Sequence, residues 1–305
     1  MTQWATFVGI TGVVLVLLLV LSHLTQSSFD SAGAASDQHH EAQTGPAPAD
    51  ASTEGPTEDS TAVSESAPLE DSLPENETSS HNDARGDDID PSDLSSGMVL
   101  ANVALSQGLF AFVLIGAAVY TAIPASALGI EFSRSYLVMG LLVGALAGLV
   151  LYVANEIGAA VATRVGFTHD EQLRELLAPE SARGWIILLV GVLPIIAVFE
   201  ELLFRAALIG VISTHYGVDP WLLALLSSLA FALGHGIQGS VGIIVTGTLG
   251  FALAVLFIVS GSFLVVVVAH YLINALEFIV HEGFDRDWAS GLEGETNAHK
   301  RDSHS

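Results

Sequence analysis

The stretch WIILLVGVLPIIAVFEELLFRAALIGVI, residues 185–212, is apolar at almost every position yet carries Glu200, Glu201 and Arg205 in its interior. It is longer than the ~20 apolar residues that an α-helix needs to cross a bilayer, so it reads as a membrane span. Runs of similar character precede it at Trp4 to Leu21, Met98 to Ala122 and Tyr136 to Ile157. Others follow at Trp221 to Leu233, Ile237 to Val259 and Ser262 to Val280. These runs are continuously apolar, whereas strands of a membrane barrel alternate polar and apolar residues over about ten positions. The predicted fold is therefore all-α, a polytopic transmembrane helical bundle of about seven spans. Small residues within the spans, among them Gly140, Gly144, Ala145, Ala147, Gly148, Gly242, Gly247 and Gly250, let helix backbones approach closely.

The chain has 305 residues, 51% of them hydrophobic, and yet a formal charge of −24. Those properties belong to different segments. Between the first two spans, Asp30, Asp37, Glu41, Glu75, Glu77, Asp87, Asp88, Asp90 and Asp93 are interspersed with Ser, Thr, Ala, Gly and Pro, and Arg85 is the only base. Such a stretch lacks the apolar surface needed to order itself and reads as a disordered, solvated acidic linker; a partner-binding acidic tail is the alternative reading. The division that follows is an N-terminal membrane anchor at 1–24, the linker at 25–97, a bundle at 98–281 and a polar tail at 282–305. A single lysine, Lys300, beside this acidic excess is the pattern of a chain adapted to high salt, where self-repulsion is screened, and a haloarchaeal source is expected. Cysteine is absent, which excludes disulfides, thiolate metal sites and a cysteine nucleophile. No nucleic-acid partner is expected.

The first span has no charged residue before it and reads as an anchor more readily than as a signal peptide, although Ala32-Gly33-Ala34-Ala35 offers a processing site. With seven spans, the linker, the Thr163 to Gly184 loop and the C-terminal tail share one side. That side holds Arg85, Arg164, Arg174, Arg183, Arg286, Lys300 and Arg301, against Arg134 on the other. The positive-inside tendency then predicts a multi-pass protein of the cell membrane with linker and C-terminus in the cytoplasm. The glycosylation triplet Asn76-Glu77-Thr78 points the other way.

Ionisable side chains at bilayer depth are costly and persist where they face a cavity and pair with one another. Three such constellations occur here: Glu200-Glu201 with Arg205, Phe231 with His235, and His270 with Asn274. Residues four apart share a helix face, so each helix presents a polar edge. Glu200 lies about 100° around from Glu201, which separates their jobs: Glu201 is set to clamp Arg205, leaving Glu200 to face a cavity. A carboxylate and an imidazole together activate water by general acid-base catalysis, and a second imidazole with a carboxamide stabilises an oxyanion. These are the parts needed for peptide hydrolysis. Each member also has a plainer reading, Glu201–Arg205 as an intrahelical ion pair and His235 as an interhelical hydrogen-bonding group. Together they are an expensive way to pack helices. Glu277 and His281 read as an interfacial pair. His215, His39, His40, His299 and His304 form no metal-like cluster.

Glu-Glu-x-x-x-Arg, then Phe-x-x-x-His, then His-x-x-x-Asn, in this order on membrane helices, resembles the CPBP family of intramembrane proteases, which includes the type II CAAX prenyl endopeptidases. Gly234-His235 followed by Gly239, and Ser260-Gly261-Ser262-Phe263 leading to His270, extend the resemblance over Trp185 to Phe278. The resemblance implies an endopeptidase acting on a membrane-bound peptide or protein in the lipid bilayer. Glu200 and His235 would activate water, His270 and Asn274 would form the oxyanion hole, and Glu201 and Arg205 would support them. It implies a glutamate-dependent mechanism needing no bound ion; should zinc be present, Glu200, His235 and His270 are its ligand set. Competing classes are a non-catalytic peptide-binding, immunity or scaffold protein of the same fold, and a proton or cation carrier.

Overall fold

The computed structural model describes residues 2–43, 96–164, 177–179, 181–235 and 239–283, with side chains omitted at 28–43, 162–164 and 239–241. Residues 44–95 of the expected linker with the Asn76 triplet, the C-terminal tail from 284 and most of the bases counted for topology lie outside those residues, whereas 25–43, expected as linker, continue α1 as helix. The described helices are α1 (Trp4–Gln43), α2 (Ser96–Tyr120), α3 (Arg134–Arg164), α4 (Ala182–Tyr216), α5 (Pro220–Gly234), α6 (Gly239–Ser260) and α7 (Phe263–Phe278), the last prolonged by a π-type turn over Ile279–Gly283. Among the described residues there is no strand. One compact unit comprises Met1–Ser31 and Leu94–Ser305; a second, Ala32–Asp93, takes in the end of α1.

The all-α membrane bundle is as expected. Among the described residues six helices are long and apolar enough to cross a membrane, and α5, at 15 residues, is a shorter apolar helix. Its length of roughly 22 Å at 1.5 Å per residue falls short of the ~30 Å hydrocarbon layer. The cause is local chemistry at both ends. Asp219 caps its first turn, accepting from the amides of Trp221 and Leu222, and Pro220 fills the first position, where a missing N–H costs nothing. At the other end the helix stops at His235.

Helix α4 is the central element: half of its most apolar window is buried within the protein, against 17% for α1, α2 and α3. It alternates α-helical and π-type turns, the latter over Ile187–Val192 and Leu202–Val211, and ends where Gly217 adopts φ +65°. Phe199, Leu203, Phe204, Ala206 and Val211 of α4 pack with Leu114 of α2, Phe231 of α5 and, from α1, Phe7 and Val14. Helix α1 thus sets one edge, Phe7, Thr11 and Val14, against the bundle, while Val13, Val16, Leu17 and Val20 face outward. Gln3 donates its amide to the Thr121 carbonyl, and Trp4 stacks on His215 with ring centroids 4.5 Å apart. Outward, Leu105, Phe112, Val119 and Val190 are exposed, as suits surfaces solvated by lipid.

Helix α3 approaches α7 along a row of glycines four residues apart. A Cβ on Gly140 would sit 2.6 Å from Leu264, one on Gly144 2.7 Å from the Val265 carbonyl, and one on Gly148 2.9 Å from the Ala269 carbonyl. Gly129, at φ +71°, turns its carbonyl to accept from both the Phe263 amide and the Tyr136 hydroxyl, and that hydroxyl accepts from the Leu264 amide. Ser262 caps the next turn through Val265. These bonds satisfy the first amides of α7, which a helix cannot satisfy itself, and fix the height at which His270 meets α4.

Candidate active site

Helices α4, α5 and α7 bring Glu200, His235 and His270 together. Glu200 is the last residue but one of the α-helical stretch Leu193–Glu201, which the π-type turns of Leu202–Val211 follow. Its Oε2 lies 3.5 Å from His270 Nε2 and its Oε1 3.9 Å from His235 Nε2. One carboxylate therefore faces two imidazoles across gaps slightly too long for direct hydrogen bonds.

Each imidazole is held from behind. Nδ1 of His235 is 2.8 Å from the Phe231 carbonyl, and because a carbonyl only accepts, Nδ1 carries the hydrogen. Nδ1 of His270 is 2.6 Å from Glu201 Oε1. The same oxygen accepts from Arg205 NH1 at 2.7 Å, so it acts as an acceptor toward the ring as well. In both rings Nε2 is the nitrogen on the side of Glu200.

Glu201 and Arg205 form the expected clamp, and both are fully buried. The spacing did not reveal that Glu201 also orients His270, nor that Arg205 NH2 donates to the Gly250 carbonyl of α6 at 2.8 Å. Gly250 is required there: a Cβ would lie 2.8 Å from Phe231 Cδ1. Phe231 is the floor of the site, its ring 4.8 Å from the Arg205 guanidinium carbon, 4.5 Å from the His235 ring and 6.2 Å from the His270 ring. Phe204 meets it edge-on at 5.0 Å. Sequence had marked Phe231 only as a support for His235, and Gly250 only as a packing residue.

The site is closed on three sides and open at one. Glu200, Glu201, Arg205 and His270 are buried, whereas the His235 side chain is 26% exposed. Asn274 stands one turn beyond His270 on the same face of α7, half-buried, and its side chain makes no hydrogen bond among the described residues. Ser227 ties α5 to α4 by donating to the Phe204 carbonyl at 2.6 Å. From α1, Ser22 donates to the Gly234 carbonyl at 2.7 Å, beside His235. A cavity of about 210 Å³ adjoins that contact, lined by Leu19, His23, Gln26, Leu233 and Ile243.

As a metal site the three residues fit poorly. Among the described residues, the group of three whose donor atoms all lie within 4.8 Å of one another is Glu156, Glu277 and His281; Glu200, His235 and His270 are not such a set. Glu277 and His281, expected as a pair, are joined there by Glu156 of α3: His281 Nε2 meets Glu156 Oε1 at 3.0 Å, and Glu277 accepts from Asn155 at 3.4 Å. Glu156, a single acid in an apolar helix, carried no motif by which sequence could have found it.

No curated protein and no solved structure matches the chain. The family comparison agrees with the reading of the three motifs and points to a membrane endopeptidase: residues 182–276, which include Glu200, Glu201, Arg205, His235, His270 and Asn274, match the family described as type II CAAX prenyl endopeptidase, Rce1-like.

Proposed function

We propose that this protein is an intramembrane endopeptidase of the CAAX prenyl protease type, hydrolysing a peptide bond of a membrane-tethered substrate with a water activated by Glu200 and His235. The observation that carries the reading is the Glu200 carboxylate held between two Nε2 atoms, each in a ring fixed at Nδ1. A proton leaving the water has a carboxylate and an imidazole at hand, both in reach of the same small volume. The hydroxide formed attacks the carbonyl carbon, and the electron pair moves to the carbonyl oxygen. His270, entering the cycle with a hydrogen on both ring nitrogens and backed by Glu201 at Nδ1, keeps its Nε2 proton and with the Asn274 amide stabilises that oxyanion. Collapse breaks the C–N bond, and the amine leaves with the proton that Glu200 or His235 held. Each step uses only side chains and water, a glutamate-type rather than a metal-dependent mechanism.

Substrate enters on the His235 side, the open face of the site. Arginine distribution favours a cytoplasmic linker and C-terminus, an arrangement that requires α5 to return the chain across the bilayer despite its length.

The test is cleavage of prenylated and unprenylated CAAX peptides by the full chain in proteoliposomes. Glu200→Gln and His235→Ala are expected to lower kcat/KM by at least ~10²-fold with melting temperatures retained. Wild-type rates in either variant, or no cleavage by the wild type, would refute the assignment. Activity that survives exhaustive chelation is expected, and a loss that only metal bound through Glu200 and His235 restores would return the mechanism to a metal.

A further inference from the structure

The glycine row on α3 that seats α7, Gly140, Gly144 and Gly148, continues at the same four-residue interval to Tyr152 and Glu156. The face that begins as backbone contact thus ends in a phenol and a carboxylate aimed at the end of α7. Opposite them stand Glu277, in the last turn of α7, and His281, in the π-type turn that prolongs it. One oxygen from each carboxylate and one imidazole nitrogen lie within 4.8 Å of one another.

Two carboxylates this close repel each other, and part-burial strengthens the repulsion. His281 compensates one of them through its 3.0 Å contact with Glu156. The Asn155 amide reaches Glu277 at 3.4 Å, and Tyr152, buried one turn before Glu156, lies within electrostatic reach of both acids. Ligands that come from two helices, are oriented by neighbouring amide and hydroxyl groups, and remain about one-third open to the outside form a three-ligand site with room for a fourth, exchangeable position.

We propose that Glu156, Glu277 and His281 bind a divalent first-row transition-metal ion that staples α3 to α7. The imidazole selects against magnesium and calcium, which prefer all-oxygen shells, and two carboxylates with one imidazole suit zinc among the divalent ions. The site lies outside the segment matched to the protease family and is independent of the proteolytic reading. It is also a second place, apart from Glu200, His235 and His270, where a chelator could act on this protein. Seven residues along α7, about 10 Å at 1.5 Å per residue, separate His270 from Glu277, so stiffening this junction bears on a helix that the site depends on.

The experiment is zinc titration of metal-stripped full-length protein in detergent, by calorimetry and by elemental analysis after desalting, with thermal unfolding recorded in parallel. One equivalent of zinc is expected, retained in Glu200→Gln and His235→Ala and weakened at least tenfold in Glu156→Gln and in His281→Ala. Zinc should raise the melting temperature of the wild type and not of those two variants. If the stripped variants melt like the stripped wild type, misfolding does not account for the loss; should one of them melt lower, the other carries the comparison. Absence of stoichiometric uptake, uptake unaffected by Glu156→Gln and His281→Ala, or uptake lost only with Glu200 or His235, would overturn the proposal.

Discussion

Two Glu/His clusters occupy one membrane bundle, and they are built by opposite rules. Around Glu200, the second carboxylate is neutralised by a buried guanidinium, both imidazoles are anchored at Nδ1, and Phe231 touches Arg205, His235 and His270 alike. Around Glu156, two acids and one histidine meet at a half-open junction between helix ends, with an amide and a phenol for support. Enclosure fixes proton positions, which suits acid-base chemistry. Openness with convergent ligand atoms suits an exchangeable ion. Residue types alone do not separate the two roles; the partners behind the residues do.

The harshest way to break this contrast is to remove the buried counter-charge. Glu201→Ala leaves Arg205 buried with only the Gly250 carbonyl and the Phe231 face beside it, and unpairing a buried charge costs about 3–5 kcal/mol. Glu156→Gln, at a junction one-third exposed, is expected to cost less than ~1 kcal/mol. Denaturant unfolding of the two variants in the same detergent measures both. Equal losses would mean that the two clusters are alike in burial and that the distinction drawn here is wrong.

A subtler test leaves every charge in place. Gly250→Ala drives a methyl group to 2.8 Å from Phe231, and because the glycine's backbone also receives Arg205, α6 has little freedom to retreat. Overpacking of this kind costs about 1–3 kcal/mol. Displacement of Phe231 should also lower the turnover number, since the ring supports both histidines, while zinc uptake at Glu156 stays at its wild-type level. Unchanged turnover would remove Phe231 from the account of how the site is held.

How much of this was legible beforehand differs between the two clusters for a physical reason. The Glu200 site is written on helices whose functional residues recur at four-residue intervals, so Glu201–Arg205, Phe231–His235 and His270–Asn274 each announce a face, and their cost at bilayer depth announces a purpose. The helices themselves were legible from apolar length. Contacts between helices were not: Glu201 with His270, Arg205 with Gly250, and Glu156 with His281 join residues 69, 45 and 125 positions apart, and no local period encodes such distances. The limits of α5 were legible as well, since its apolar run ends at Leu233 and the next begins at Ile237. The packed edge of α1, Phe7, Thr11 and Val14, was not legible in a run that is apolar almost throughout.

That packing gives α1 a hand in the site, through the smallest effect expected here. Helix α5 ends at His235, where its last carbonyls lose their intrahelical partners, and Ser22 satisfies the carbonyl of Gly234. The hydroxyl therefore holds the residue before the histidine, in a segment tied, among the described residues, by the His235 amide on Ala232 and Nδ1 on Phe231. Ser22→Ala forfeits one hydrogen bond, about 1 kcal/mol, which unfolding alone would barely register. If Ser22 positions His235, the loss appears instead as a severalfold fall in kcat with KM unmoved, and Ser22→Thr restores it because the hydroxyl returns. A fall in melting temperature with kcat intact would make α1 a packing helix only, and the enclosure of the Glu200 site would then be the work of α4, α5, α6 and α7 alone.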